Sequence, residues 1–130
     1  MGGQGVARDP KAAVELFWSA AEKGNISAQY NLGYCYERGA GVENDEKSAT
    51  KWYRLAAEGG DMTAQFDVAQ RFELGLGTET DLAEAYKWYV LSANQGQPDA
   101  KAKLTALKSR LSAALVREGE KRVSGFTARK

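Results

Sequence analysis

A repeat with a period of 36 residues constrains this sequence more than any other feature. Residues 3–38 and 39–74 share 13 identities, and residues 39–74 and 75–110 share 12, where about two or three would arise by chance. Periods of this length are typical of helical arrays, in which each unit buries its apolar face only against its neighbours. The identities that recur in all three units are mainly small residues, such as Gly39, Ala49, Ala57 and Gly60 with their equivalents 36 residues away.

Each unit begins with a predicted amphipathic helix. An aspartate suited to N-capping precedes it at positions 9, 45 and 81, and Pro10 fits the first helical position. Glu84, three residues after Asp81, predicts a capping box. The helix is expected to end at Gly24, Gly60 or Gly96, because glycine accepts the left-handed cap conformation. Its predicted buried stripe, with the spacing of one helical face, is Ala13, Leu16, Phe17, Ala20 and Ala21 with their equivalents.

A second helix is predicted to follow at once. Its expected caps are Asn25, Asp61 and Gln97, and it is expected to end at Gly39 or Gly75. The predicted fold is therefore all-α, a right-handed α/α solenoid of about three helix-turn-helix repeats (3–38, 39–74 and 75–110, within a domain of residues 1–110). A C-terminal capping helix and a basic tail are predicted within residues 111–130. The helix spans about 112–125, and its expected apolar residues are Leu115, Gly119, Val123 and Phe126.

Three motifs carry a family resemblance. They are Gly-x-Gly-Val-x-x-Asp from Gly39 to Asp45, Trp-Tyr-x-x-Ala-Ala-Glu-x-Gly from Trp52 to Gly60, and Ala-Gln-x-Asn-Leu-Gly-x-x-Tyr from Ala28 to Tyr36. Together they resemble the Sel1-like repeat (SLR), a relative of the tetratricopeptide repeat. The resemblance implies a non-catalytic adaptor or scaffold that binds a peptide or protein on its concave face, which the first helices line.

The C-terminal segment resembles the end of repeat arrays in bacterial cell-envelope and polarity scaffolds of the PodJ type. This second resemblance implies a domain of a larger bacterial signalling or envelope protein, in the periplasm or cell envelope, with the cytoplasm as the alternative. The chain opens inside a glycine loop with no preceding cap. We therefore expect a piece of a longer array, whose uncapped N-terminal end could self-associate.

The candidate partner-binding residues are those that vary between units while keeping helical spacing on the first helices. Variation frees these positions from the repeat pattern, so that specificity can be encoded there, although an ordinary solvated face would look the same. Trp18 has a further alternative, which is to fill the local core. The predicted residues are Glu15, Trp18, Glu22, Lys47, Lys51, Arg54, Glu58, Lys87, Val90 and Asn94.

Composition argues against an enzyme. The absence of histidine excludes Ser-His-Asp and Cys-His triads and histidine-ligated zinc, and the single Cys35 excludes an internal disulfide. Two carboxylate clusters, at Glu43 to Glu46 and at Glu79 to Glu84, fall where acids cap helices, so we favour capping over catalysis or metal binding. The Trp-Tyr pairs keep the repeat phase and are predicted to be core, and Cys35 a small filler. We predict no catalytic, cofactor or metal site.

Charge is distributed unevenly along the chain. The formal net charge of +1 combines a charge of −6 over residues 1–100 with +7 over residues 101–130. The alternative function is therefore binding of an anionic polymer or membrane surface through the basic C-terminal segment. Only Phe126 accompanies these cations, with no aromatic interleaving for base stacking, so nucleic acid is an unlikely partner. No run of 18 apolar residues predicts a transmembrane segment.

Overall fold

A computed structural model describes residues 9–128 as an array of seven α-helices, and no strand occurs among those residues. This confirms the predicted α/α solenoid class. The predictions for Gly3, Gly5 and the rest of the opening loop, and for Arg129 and Lys130, lie outside the described residues. The helices are α1 (Pro10–Glu22), α2 (Ile26–Arg38), α3 (Glu46–Glu58), α4 (Met62–Leu74), α5 (Leu82–Asn94), α6 (Ala100–Lys108) and α7 (Ala113–Ser124).

The predicted aspartate caps are confirmed. Asp9, Asp45 and Asp81 each accept hydrogen bonds from backbone amides in the first turns of α1, α3 and α5. Asn25 and Asp61 do the same for α2 and α4. Each bond satisfies an amide that has no partner inside its helix. The helix boundaries are therefore set by short-range chemistry that recurs from unit to unit.

Two cap predictions were wrong in detail. Asp81 accepts from the Glu84 amide, but the Glu84 side chain does not return to the Asp81 amide, which donates to the Phe72 carbonyl instead. Glu84 instead accepts from the indole of Trp88. Helix α6 begins only at Ala100, and the Gln97 side chain accepts from the amides of residues 99 and 100. Gln97 thus caps from a turn that precedes the helix.

The helices alternate along the array, and each second helix packs against the first helix of the next unit as well as its own partner. Alanines such as Ala56 and Ala64 are fully buried, which allows close helix approach. The predicted core role of the Trp-Tyr pairs is confirmed, because Trp52, Tyr53 and their equivalents in α5 are buried. Cys35 is also buried, as predicted for a filler, and burial raises the pKa of its thiol.

The last helix, α7, packs along α5. Gly119 lies so close to the Tyr86 ring that a Cβ there would overlap it, and Val116 packs against the main core. Leu115 was predicted to face the core but is exposed. Phe126 was also predicted to belong to the stripe of this helix, yet it lies beyond the last helical residue, Ser124. The predicted stripe is therefore correct at Gly119 and wrong at Leu115, and at Phe126 the predicted packing against the core is correct although the residue lies outside the helix.

The predicted burial of Leu16 was wrong, because this side chain is 61% exposed. Its repeat equivalents, Trp52 and Trp88, are buried because each faces a preceding helix pair. No helix among the described residues precedes α1, so no described helix covers Leu16. Tyr34 on α2 is exposed as well. The described N-terminal face of the array is therefore partly apolar.

The loops between units pack tightly on earlier helices. Gly41 and Gly77 both have positive φ, of 79° and 69°. A Cβ at Gly41 would overlap the Pro10 carbonyl group, and one at Gly77 would overlap the Glu46 carbonyl group. Glycine is needed at both places for the backbone conformation and for the close approach. In each unit, the second glycine of the loop therefore packs against the first residue of the first helix of the preceding hairpin, Pro10 of α1 or Glu46 of α3.

A buried polar cluster joins the first two units. The Tyr53 hydroxyl donates to Glu37 at 2.6 Å. The guanidinium of Arg71, a residue that is 4% exposed, lies 3.5 Å from Glu37 and 2.8 Å from Glu46. Arg71 also donates to the Thr50 hydroxyl at 3.1 Å. Arg71 thus links both helices of the second unit to α2 of the first.

Asp67 extends this cluster. It accepts a hydrogen bond from the Tyr30 hydroxyl at 3.2 Å. Burial raises the pKa of Asp67 to about 6, and the negative charge of Glu37 adds to the rise. Burial, with Asp67 close by, also raises the pKa of Tyr30. The first unit interface therefore contains a carboxyl group that ionises less readily in the folded chain than in the unfolded chain.

The interface between the second and third units keeps one hydrogen bond of the first interface, while the residues around that bond differ. Tyr89 donates to Glu73 at 2.6 Å, as Tyr53 does to Glu37. Arg110, which is exposed, contacts Glu73 at 2.8 Å. At the position equivalent to Arg71 stands Leu107, which is fully buried. The second interface is therefore mostly apolar around its tyrosine-glutamate bond.

Candidate functional site

Three adjacent open hollows lie along the first helices, and we call them together the groove. The first, of about 400 Å³, lies between α1 and α3, the central one, of about 420 Å³, follows α3, and the third, of about 580 Å³, lies between α3, α5 and the C-terminal segment. Lys51 lines the first and second hollows, and Arg54 lines the second and third. The hollows therefore form one continuous surface.

Seven of the ten predicted partner-binding residues line this groove, and three do not. Glu15 and Asn94 are exposed outside it, and Val90 packs against the main core. The arrangement agrees with the expectation that variable positions on the first helices share a face. The seven residues in the groove are Trp18, Glu22, Lys47, Lys51, Arg54, Glu58 and Lys87.

An aromatic pair forms the floor of the first hollow. The Trp18 ring meets the Trp52 ring edge-on, with centroids 4.9 Å apart. The Lys51 ammonium lies over the Trp52 ring, 5.3 Å from its centroid. Trp18 therefore packs on the core tryptophan and also lines the surface, and its role in partner binding stays a prediction. We call this pair the Trp18–Trp52 wall; it presents an apolar surface with the Lys51 cation beside it.

The central hollow has an excess of positive charge. Arg54 and Glu58 form an exposed i,i+4 ion pair at 3.2 Å, so that their charges largely offset each other. Arg54 also lies over the Phe72 ring at 5.8 Å. Lys47 and Lys51 line the same hollow, and neither forms an ion pair with a described residue. The two ammonium groups are therefore available to an anionic group from outside.

The third hollow is lined in part by residues of α7 and the segment after it, which lie outside the repeat. Arg122 of α7 contacts Glu84 at 2.8 Å and Asp81 at 3.2 Å, and it also pairs with Glu118. These bonds, that to Glu118 first, raise the pKa of the Arg122 guanidinium further. Lys87 contacts Glu84 at 3.4 Å. Most charges at this end are thus already paired within the chain.

Phe126 completes the third hollow. Its ring meets the Trp88 ring edge-on, with centroids 5.4 Å apart, and the Lys87 ammonium lies 4.4 Å from the Trp88 centroid and 5.6 Å from that of Phe126. Thr127 also lines this hollow. The repeat could not reveal these residues, because the C-terminal segment lies outside it. The aromatic side chain among cations was the one available signal.

The carboxylate clusters act structurally. Asp45 accepts hydrogen bonds from Ser48, which lower the pKa of its carboxyl group. Glu46 binds Arg71, and Glu84 binds Lys87, Arg122 and the Trp88 indole. Within residues 9–128, no group of His, Cys, Asp and Glu is arranged to hold a metal ion. These contacts support the capping role predicted for the clusters and add ion pairs that were not predicted.

The basic C-terminal segment is partly neutralised. Arg110 pairs with Glu73, and Arg122 pairs with three acids. Lys101, Lys103 and Lys108 are exposed on α6. None of the seven described helices is both long enough and apolar enough to cross a bilayer.

Comparison with known proteins gives consistent matches. The sequence profile of the Sel1 repeat matches residues 1–25, 26–61 and 63–97. The crystal structure of a protective antigen present in uropathogenic Escherichia coli strains, which displays an SLR fold, matches with a TM-score of 0.83 and 31% identity, over 93% of this chain and 27% of that one.

A Sel1 repeat protein from Oxalobacter formigenes matches with a TM-score of 0.71 and 36% identity, over 72% of this chain and 39% of that one. The chain therefore spans less than half the length of either protein. A search of the curated proteins finds no match.

Proposed function

Because this chain belongs to the Sel1 repeat family, we propose that it is a non-catalytic adaptor whose groove holds an extended segment of a protein partner. Repeats of this family are generally protein-protein interaction modules. The observation that carries the proposal is the grouping of the seven variable residues along three joined hollows. A surface that changes from unit to unit over a constant core can be specific for one partner.

The charges favour an acidic partner segment. Neither Lys47 nor Lys51 forms an ion pair with a described residue, and Lys47 has only a longer-range attraction to Asp45, whereas the cations of the third hollow are paired. An incoming aspartate or glutamate would form charge-assisted hydrogen bonds with these ammonium groups without breaking an existing ion pair. The Trp18–Trp52 wall beside them would take an apolar side chain of the same segment.

The proposal is tested with peptides selected from a random 12-residue display library. We expect the selected peptides to be rich in Asp and Glu. Fluorescence anisotropy with the double variant Lys47→Glu, Lys51→Glu should show a loss of affinity of at least about ten-fold, because two attractive contacts become repulsive.

The matched control carries the same change of charge on α6, Lys101→Glu with Lys103→Glu. It should change the affinity less than about two-fold. Equal losses in the two double variants, or selected peptides without acidic residues, would contradict the proposal.

The alternative function, binding of an anionic polymer or membrane through the basic segment, remains a prediction. The exposed lysines of α6 are its basis, and the pairing of Arg110 and Arg122 weakens it. Titration of salt against binding to duplex DNA and to phosphatidylserine vesicles separates the two functions. Binding that falls steeply with salt supports the alternative, and no binding at low salt excludes it.

The finer assignments are proposals as well. They are a role in bacterial signalling or cell polarity, a place in a PodJ-type scaffold, and a location in the periplasm or cell envelope. Self-association through the N-terminal face is supported by the exposure of Leu16 and Tyr34. A strict monomer by light scattering at high concentration would exclude self-association.

A further inference from the structure

We propose that the groove recognises an aromatic side chain of its partner edge-on against Trp88, and that the chain's own segment Gly125–Ala128 occupies this position until a partner displaces it. This inference rests on the proposed function and specifies one subsite of the same groove. It assigns a role to the C-terminal segment, which lies outside the repeat.

The first observation is the position of Phe126. Helix α7 ends at Ser124, and the Phe126 amide makes one further bond to it, to the Val123 carbonyl at 3.1 Å. Its ring nevertheless packs edge-on against Trp88, and the Lys87 ammonium lies close to both rings. An edge-on aromatic pair beside a cation is a favourable and specific arrangement. The segment therefore leaves the helix at one backbone bond, and the Phe126 ring is its contact with Trp88.

The second observation is the path of the segment beyond Phe126. Thr127 lines the third hollow, together with Arg54 and Glu58 of α3. A Cβ placed on Gly60, just after α3, would lie 3.3 Å from the Cβ of Ala128. The segment therefore crosses from α5 to the end of α3 along the groove. A partner peptide lying along all three hollows would overlap it.

The third observation comes from the repeat itself. Trp52 and Trp88 are equivalent, and Trp52 receives its edge-on partner from Trp18 of the preceding unit. The residue of α3 equivalent to Trp18 is Arg54, so the preceding unit supplies no aromatic ring to Trp88. Phe126 supplies it instead, from a segment outside the repeat. A partner's aromatic ring could therefore replace Phe126 on Trp88, whereas the ring on Trp52 belongs to Trp18, which is part of the helical array.

The test uses the full chain and a labelled peptide with the sequence of residues 125–130, Gly-Phe-Thr-Ala-Arg-Lys. A tethered segment competes at a high effective concentration, so the unaltered chain should bind this peptide poorly. Phe126→Ala should bind it at least about ten-fold more tightly. A peptide with alanine in place of phenylalanine should bind Phe126→Ala no more tightly than it binds the unaltered chain.

The matched control is Leu115→Ala, on the exposed side of α7, which should bind the peptide as the unaltered chain does. If Phe126→Ala fails to fold, as judged by circular dichroism, Phe126→Leu keeps an apolar side chain without the ring. This variant should show a gain of at least about three-fold. Equal affinities of the unaltered chain and the folded variant, or equal binding of the two peptides, would overturn the inference.

The two proposals fail separately. If the peptide binds Phe126→Ala while the double variant of Lys47 and Lys51 leaves the binding of selected peptides unchanged, the aromatic subsite stands and the proposed acidic partner segment does not. If the selected acidic peptides respond to that double variant while the tail peptide binds no better to Phe126→Ala, the proposed function stands and the exchange of aromatic rings is wrong.

Discussion

The two unit interfaces share one hydrogen bond and differ in almost everything around it. Tyr53 donates to Glu37 at the first interface and Tyr89 donates to Glu73 at the second, both at 2.6 Å. Around the first bond lies a buried arginine that is held by two carboxylates, and around the second lies a buried leucine. The tyrosine-glutamate bond is thus compatible with a polar and with an apolar setting.

The packing beneath the two tyrosines differs as well. A Cβ on Gly33 would lie only 2.6 Å from the Tyr53 ring, so this tyrosine needs glycine beneath it. The equivalent of Gly33 at the second interface is Ala69, which is fully buried. Neighbouring residues at each interface are therefore matched to one another as a set. A residue moved from one interface to the other should arrive without its partners.

The largest expected effect is that of Leu107→Arg, which imports the first interface's arginine into the second. Leu82 and Tyr86 stand where Glu46 and Thr50 would supply partners, and Glu73, the equivalent of Glu37, is already bound to Tyr89 and Arg110. A buried cation without adequate partners should reduce the free energy of unfolding by about 4 kcal/mol. Urea denaturation measures the loss. Ala106→Arg, at the exposed neighbouring position, should cost less than about 0.5 kcal/mol, and equal losses would contradict the matched-set view.

The reverse exchange, Arg71→Leu, should have a smaller effect. It leaves Thr50 without its donor and removes the cation between Glu37 and Glu46, although both carboxylates retain some contact with water. We expect a loss of about 2 kcal/mol in the free energy of unfolding. Arg38→Leu, on the exposed side of α2, is the control. A loss no greater than that of the control would show that the buried arginine is dispensable.

The third prediction concerns pH and only the first interface, because the equivalent of Asp67 at the second is the exposed Lys103. The pKa of Asp67 is raised in the folded chain to about 6, above its unfolded value. Its contribution to stability is therefore full below about pH 4 and is lost as the pH rises to about 6.

We expect the loss to be about 1 to 2 kcal/mol, because water still reaches part of the side chain. The measurement compares the unaltered chain with Asp67→Asn in urea denaturation at pH 4, 5, 6 and 7. The amide still accepts from Tyr30 but does not ionise. The stability difference between the two proteins should shift in favour of the variant with rising pH, and a difference that does not change would refute the assignment.

The smallest effects are expected for the shared bond itself. Tyr53→Phe and Tyr89→Phe each remove one hydroxyl, while each glutamate keeps an arginine, Arg71 or Arg110. Each variant should lose about 1 kcal/mol in the free energy of unfolding, with a difference between them below about 0.5 kcal/mol. Thermal denaturation of Tyr53→Phe and Tyr89→Phe measures the two losses. A clearly larger loss at one interface would mean that its surroundings strengthen the bond.

The helices could be predicted from the sequence because their signals are local. An aspartate such as Asp45 caps amides two or three residues away, and Gly75 ends α4 in the left-handed conformation. Each signal recurs 36 residues away in the chain, and this recurrence fixes where the helices begin and end in each unit. The prediction was wrong at Leu16 because burial depends on a neighbour that periodicity cannot supply, and wrong at Leu115 because α7 lies outside the repeat.

The groove could be predicted only in part. The spacing of variable residues placed seven of them on one face, because helical periodicity decides which side chains share a face. The roles of Phe126 and Arg122 depend on contacts with α5 that lie about 40 residues away in the chain. The burial of Arg71 likewise depends on Glu46, 25 residues earlier. Contacts of this kind arise from packing and leave no short-range pattern.

The loop glycines have a consequence for how such an array can grow. Gly41 meets the carbonyl of Pro10 and Gly77 that of Glu46, in each case 31 residues earlier. Duplication or deletion of whole 36-residue segments preserves this distance. One residue inserted within α2 brings the methyl group of Ala40 to a place where only a hydrogen atom fits. Complete units can therefore be added or removed without disturbing these contacts, while a single residue inserted between the two points disrupts one of them.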